Sequence, residues 1–324
     1  MHYSQSEKME IIRIVENSEI GVVRTLRELG IHSSVFYKWY AAYEEHGYDG
    51  LARRKRNQFW NQIPPEEREW VVKMALDYPA LSPRELACKI TDTQGYFISE
   101  SSVYRILKSR GLITSPAFSL IKAAETFKDP TSRVNEMWQT DFTYFKIVGW
   151  GWYYLSTILD DYSRYIVSWE LCKTMKAYDV ASTIEQALEK TGLEEYQRPK
   201  LLSDNGSCYI SGELRDYLEQ VNMKHVRGAP MHPQTQGKIE RYHRSLKNVI
   251  KLDHYYLPEQ LEEQLSIFIE YYNNERYHES INNVTPADVF YGRAERIIQN
   301  RRKTKEKTMR KRRKQYRNKL NSNI

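Results

Sequence analysis

The tightest constraint on this chain's fold is an acid in a segment built for burial. Met137-Trp138-Gln139-Thr140-Asp141-Phe142-Thr143-Tyr144-Phe145 is dominated by aromatic and β-branched residues, the composition of a strand largely enclosed in a sheet. An ionised carboxylate is costly there unless something pairs with it. A second acid, Asp204, ends the run Pro199-Lys200-Leu201-Leu202-Ser203 and is followed by Asn205-Gly206, so it reads as the tip of another strand entering a turn. Open α/β sheets gather their sites at such tips. A third, Glu240, opens the run Lys238 to Leu252, in which Ile239, Tyr242, Leu246, Val249 and Ile250 recur at helical spacing. It therefore lies in the first turn of a helix. Taken singly, an Asp-Asn-Gly is ordinarily a turn, and a Glu at a helix start ordinarily offsets the helix dipole. The conjunction is less ordinary, because three converging carboxylates hold two divalent metal ions, the arrangement that phosphodiester chemistry requires.

Trp-Gln-Thr-Asp, Ser-Asp-Asn-Gly-Ser and His232-Pro233-Gln234-Thr235-Gln236-Gly237-Lys238-Ile239-Glu240-Arg241 resemble the catalytic core of the integrase-type (DDE) transposases, shared by bacterial insertion sequences and retroviral integrases. The 35 residues between Asp204 and Glu240 match that superfamily's signature interval. Tyr271-Tyr272-Asn273-Asn274-Glu275-Arg276-Tyr277-His278-Glu279-Ser280 and Thr285-Pro286-Ala287-Asp288 are similar to the segment that closes this core in insertion-sequence transposases. The resemblance implies an α/β ribonuclease-H-like core over about residues 130–292, with three antiparallel strands from 137 to 171, a crossing helix from Ala177 to Lys190 and a strand ending at Asp204. It implies catalysis and metal binding by Asp141, Asp204 and Glu240, with Mg2+ (or Mn2+), two per active site, as cofactor. It further implies DNA contacts at Gln236 and Lys238 and, on the face of the Glu240 helix, at Arg244 and Lys247. The expected activity is cleavage at the ends of an insertion sequence followed by strand transfer, with DNA (terminal inverted repeats and target) as partner and a homo-oligomer assembled on it. No Gly-x-x-x-x-Gly-Lys-Ser/Thr loop occurs, so no nucleotide cofactor is expected. A structure-selective nuclease of the same fold and a domesticated DNA-binding regulator with an inert core are the alternatives.

The amino-terminal part is helical by its own signals. Ser4 to Glu7 reads as a capping box, a short helix ends at Gly30, and a third begins at Ser33. Helix, glycine turn, helix is the pattern of a helix-turn-helix DNA reader, with Ser33, Tyr37 and Lys38 on its groove side. By periodicity alone a plain three-helix bundle fits equally. Past Arg53-Arg54-Lys55-Arg56 a second such unit follows, with a helix start at Ser82-Pro83-Arg84-Glu85 and another helix capped by Ser99 that turns Arg105 and Lys108 outward. The expected domains are therefore 1–52 and 60–115, both all-α helix-turn-helix, then the core at 130–292 and a basic, disordered DNA-contacting tail at 293–324. Those last residues carry fourteen Lys and Arg against two Glu, a net of +12, which leaves −5 on the rest of a chain of net charge +7. Such a tail neutralises phosphates without reading sequence.

Asp160-Asp161 in Leu159-Asp160-Asp161-Tyr162-Ser163-Arg164 is expected to form the turn between two strands and not a second metal site. Cys88, Cys172 and Cys208 are far apart, and no paired His and Cys spacing precedes residue 130, so neither disulfides nor zinc is expected. No apolar run approaches the roughly 18 residues of a membrane span, and the first residues lack a signal peptide's apolar core. The expected location is cytoplasmic, nucleoid-associated on DNA, with no membrane partner.

Overall fold

The computed structural model describes residues 3–52, 59–113, 130–228, 236–251 and 254–321. They form two compact units that divide between Gln62 and Ile63. The basic link Arg53 to Arg56 and the turn residues His232 to Thr235 lie outside the described residues.

The first unit holds α1 (Gln5–Glu16), α2 (Val22–Glu28) and α3 (Ser33–Gly50) around Ile12, Leu26, Ile31 and Phe36. Its capping box is present: Glu7 N donates to Ser4 Oγ, and Ser4 N donates to the Glu7 carboxylate. Gly30, at φ +66°, ends α2 by donating to Arg27 O while Ile31 N reaches Leu26 O, which satisfies two terminal carbonyls at once.

The second unit begins with α4 (Pro65–Asp77), α5 (Pro83–Gln94) and α6 (Glu100–Ser109), packed around Val71, Leu86, Ile90 and Val103. Ser82 and Ser99 cap α5 and α6, and Gly95 turns the chain between them in the left-handed region. A five-stranded sheet follows, of β1 (Met137–Ile147), β2 (Gly151–Asp160), β3 (Ile166–Cys172), β4 (Lys200–Ser203) and β5 (His225–Arg227), ordered β3-β2-β1-β4-β5. The first three strands are antiparallel, while β4 and β5 run parallel to β1. This is the mixed sheet of a ribonuclease-H-like α/β core. The crossing helix α7 (Ala177–Thr191), α8 (Ser207–Ile210) and α9 (Gly212–Gln220) cover one face, where Trp138, Ile158, Val180, Ile184 and Leu214 meet. The other face carries α10 (Gly237–Ile250) and α11 (Pro258–Asn274), whose Ile239, Tyr242, Leu246 and Phe268 pack on Phe145, Leu155 and Leu159. Then come α12 (Pro286–Phe290) and α13 (Ala294–Asn321).

The last helix corrects the expectation of a disordered tail. Arg301, Thr304, Thr308 and Arg312, three or four residues apart, form one sheltered stripe, with Thr308 3% and Arg312 6% exposed. They pack on the α5–α6 unit: Phe97 N donates to Thr308 Oγ1 at 3.0 Å and Arg312 Nε donates to Tyr96 Oη at 2.9 Å. The stripe is polar, so hydrophobic periodicity gave no sign of it.

Candidate active site

β1 and β4 place two of the acids. Gln139 lies opposite Leu202 in the parallel ladder, and two residues further along each chain stand Asp141 and Asp204, at corresponding positions by the end of β4. Alternation along β1 puts Gln139 and Asp141 on the side of Phe145 and Ile147, the face that α10 covers. Contacts agree, because Gln139 Oε1 accepts from Ile239 N at 3.1 Å, and His243 Nδ1 lies 3.4 Å from Asp141 Oδ2. Glu240 and His243 are three apart and share a side of α10, so the helix offers Glu240 towards the same region.

Each aspartate is oriented by the backbone. Phe142 N donates to Asp141 Oδ1 and Gly206 N donates to Asp204 Oδ1, both at 2.8 Å. The second contact explains the glycine of Asp-Asn-Gly: a Cβ on Gly206 would stand 2.9 Å from Asp204 Oδ1, inside contact distance. Both carboxylates act on α8. Burial, then Asp204 and more weakly Asp141, pushes the Cys208 thiol up to about 11. Burial and the Asp141 charge push the enclosed Tyr209 phenol well above its ordinary value.

As a donor set for a metal, three carboxylates are hard oxygen ligands suited to a small divalent cation. Asp204 and Glu240 are exposed and the Asp141 side chain is 24% exposed, so all three are reachable. Among the described residues no group of three or more His, Cys, Asp or Glu stands close enough to hold an ion as placed.

What fixes the start of α10 is a buried network that the sequence reading missed. Lys238 Nζ donates to Asp161 Oδ2 at 2.5 Å and to Asp161 O at 3.1 Å, with the two side chains 8% and 1% exposed. Gln139 Nε2 and Thr131 Oγ1 also donate to the Asp161 carboxylate, at 2.6 and 2.5 Å. Asp160 and Asp161 do stand at the turn after β2, but Asp161 ties that turn to both β1 and α10.

The expectation that Lys238 contacts DNA is therefore corrected: its ammonium is consumed inside the protein. Gln236 is corrected likewise, being 7% exposed with its amide 3.4 Å from Thr140 O. Both lie on the inward side of the helix start, which spacing from Glu240 alone could not distinguish. Arg244 is exposed. Lys247 lies 4.7 Å over the Tyr144 ring, and desolvation and Lys251 hold its ammonium below the usual lysine range while Asp141 pulls it back. The other named residues are elsewhere: Tyr37 and Lys38 are exposed on α3 with Ser33 half-buried, and Arg105 and Lys108 are exposed on α6. His243 was also missed, although its i+3 spacing from Glu240 was a usable signal.

Comparison with known proteins adds families. Residues 131–233 match the family model described as an integrase core domain, and residues 221–286 match a second of the same description. Residues 35–107 match a homeodomain-like domain, in the helical part. The Gag-Pro-Pol polyprotein of squirrel monkey retrovirus is 32% identical over 118 residues, which is 36% of this chain and 6% of that protein. An Escherichia coli protein assigned as transposase InsK of insertion sequence element IS150 is 27% identical over 144 residues, 44% of this chain and 50% of that one. The chain thus spans half or less of these curated relatives. Among solved structures, the HTLV-2 integrase catalytic core domain in complex with magnesium is 22% identical, over 49% of this chain and 97% of that one, at a TM-score of 0.39. A simian T-cell lymphotropic virus intasome chain is 19% identical, over 68% and 74%, at a TM-score of 0.44.

Proposed function

We propose that this chain, whose residues 131–286 match integrase core domain models behind a homeodomain-like helical region, is a DNA transposase. It binds the terminal inverted repeats of an insertion sequence and catalyses metal-dependent strand cleavage and strand transfer. What supports this reading is the register of β1 on β4, in which Gln139 pairs Leu202 two residues before Asp141 and Asp204, together with His243 of the Glu240 helix 3.4 Å from Asp141.

Asp141, Asp204 and Glu240 are the residues that would hold two Mg2+ or Mn2+ ions. Such ions, when bound, offset the negative charge that builds on the entering and leaving oxygens of an in-line displacement at phosphorus. The chain's own part is positional. Asp161, Lys238 and Gln139 hold the first turn of α10 against the sheet, so that Glu240 approaches from a fixed direction. His243 steadies the free side of Asp141. Lys247 and exposed Arg244 supply cations for the DNA phosphates beside the site. Ser33, Tyr37 and Lys38 on α3, and Arg105 and Lys108 on α6, are the candidate groove contacts of the two readers.

The test joins a labelled terminal-repeat oligonucleotide to plasmid DNA in magnesium or manganese. Joined product is the expected result. Cutting without joining would make the chain a nuclease, and specific binding without either would make it a regulator.

A further inference from the structure

The basic helix α13 is docked, and where it docks matters. Arg301 grips Asp92 of α5 bidentately, at 2.7 and 2.5 Å, and gives its third donor to Asn283 O at 2.7 Å. Thr308 and Arg312 then bind the turn between α5 and α6: Thr308 accepts from Phe97 N, while Arg312 donates to Tyr96 Oη and, at 3.0 Å, to Phe97 O. The Arg312 guanidinium also lies 4.9 Å over the Tyr96 ring. Arg302 and Lys305 line a cavity of about 480 Å³ together with Ser99 and Glu100, the first residues of α6. The cations of α13 therefore reach the amino-terminal end of α6, the end that a helix-turn-helix presents to base edges.

The opposite side of α13 is exposed and predominantly basic. At about 100° per residue, Lys303, Arg310, Lys314 and Arg317 fall on the side away from Thr308, with Glu295 and Glu306 among them, and all are exposed. Six hydrogen bonds through three polar side chains are more than a freely solvated tail would keep. Each arginine spent on them is one withheld from phosphate.

We propose that α13 and the α5–α6 unit form one rigid face for double-stranded DNA, on which α13 clamps the backbone of the same duplex whose groove α6 enters. The inference rests on the proposed DNA binding and adds that the carboxy-terminal cations act through a fixed geometry, not as an independent tail.

The test measures full-chain binding to a fluorescent duplex of arbitrary sequence, in EDTA, across a salt series. Lys303→Gln with Arg310→Gln and Arg317→Gln removes three outward cations, and the slope of log affinity on log salt should fall by about 2.7. Arg301→Lys with Arg312→Lys keeps every charge but removes the bidentate and forked contacts. It should weaken binding at least about tenfold, a cost of about 1.4 kcal/mol. Unchanged affinity and slope in that charge-neutral variant would overturn the proposal. Because it could also perturb folding, a second variant pins the helix instead: Phe97→Cys with Thr308→Cys, in a Cys88→Ala background. The oxidised form should bind duplex at least as tightly as the reduced form, and a tenfold loss on oxidation would likewise overturn the proposal. Parent protein that binds duplex yet never joins strands would sink the transposase reading and leave this one standing.

Discussion

At the scale of single residues, the acids differ in what surrounds them, and the differences assign separable tasks. Asp204 is exposed at the tip of β4 and its carboxylate accepts from Gly206 N within its own turn, so removing its charge has little structural cost. Asp204→Asn should abolish cleavage and joining while leaving DNA binding near the parent level; activity surviving in magnesium or manganese would remove Asp204 from the catalytic set. Lys238 is the reverse case. Deleting its ammonium leaves Asp161, 1% exposed, as an uncompensated buried charge, which typically costs on the order of 3–5 kcal/mol. Lys238→Met should therefore lower the urea midpoint sharply and leave the salt slope of DNA binding as it was. A stable variant with a shallower slope would return Lys238 to the DNA surface.

At the scale of elements, the segment that closes the core explains itself through two side chains. Asn273 on α11 is buried, accepts from Ile166 N at 2.9 Å and donates to Ile166 O at 3.1 Å. It thereby pairs the start of β3 where the β2–β3 register shifts between Ile158 and Leu159. Asn273→Ala orphans two buried backbone groups and should cost about 2–4 kcal/mol, read as a drop in urea midpoint. His278 packs edge-on against Tyr272, with Nε2 sealed from solvent and unpartnered among the described residues. Burial, then Arg276 and Arg164, holds its imidazole down to about 3. The unfolded chain takes up that proton near an ordinary value of about 6.5 while the folded chain does not. Stability should thus be complete above about pH 6.5 and fall as pH drops towards 3, by on the order of 1 kcal/mol per unit. His278→Gln should flatten that dependence of the urea midpoint, and an equally steep profile in the variant would assign the slope to other groups.

At the scale of the whole molecule, assembly becomes a stoichiometric question. One chain supplies one set of Asp141, Asp204 and Glu240, whereas concerted integration joins two DNA ends to one target. At least two chains should bridge paired ends, and light scattering of the complex with terminal-repeat DNA measures this. A single chain that joins both ends concertedly would refute it. The dock between α13 and the α5–α6 unit bears on truncation as well. Removing residues after Gly292 deletes a net charge of +12 and also uncovers the surface around Tyr96 and Phe97 that Thr308 and Arg312 occupy. Lost affinity in such a truncation therefore reports both effects, unlike the charge-neutral substitutions.

The sequence by itself determined the helix starts at Ser4, Ser82 and Ser99, the antiparallel strands from Met137 to Cys172 and the interval from Asp204 to Glu240. These are local: a capping side chain reaches three residues along the chain, and strand alternation repeats every two, so both are written in neighbouring letters. Only the tertiary structure decided which polar residues face inward. Lys238 pairs with Asp161 from 77 residues away, Gln139 meets Ile239 across 100, and Arg312 meets Tyr96 across 216. A buried charge is stabilised by a partner that packing supplies, and nothing in the run of residues around it distinguishes it from a solvated one.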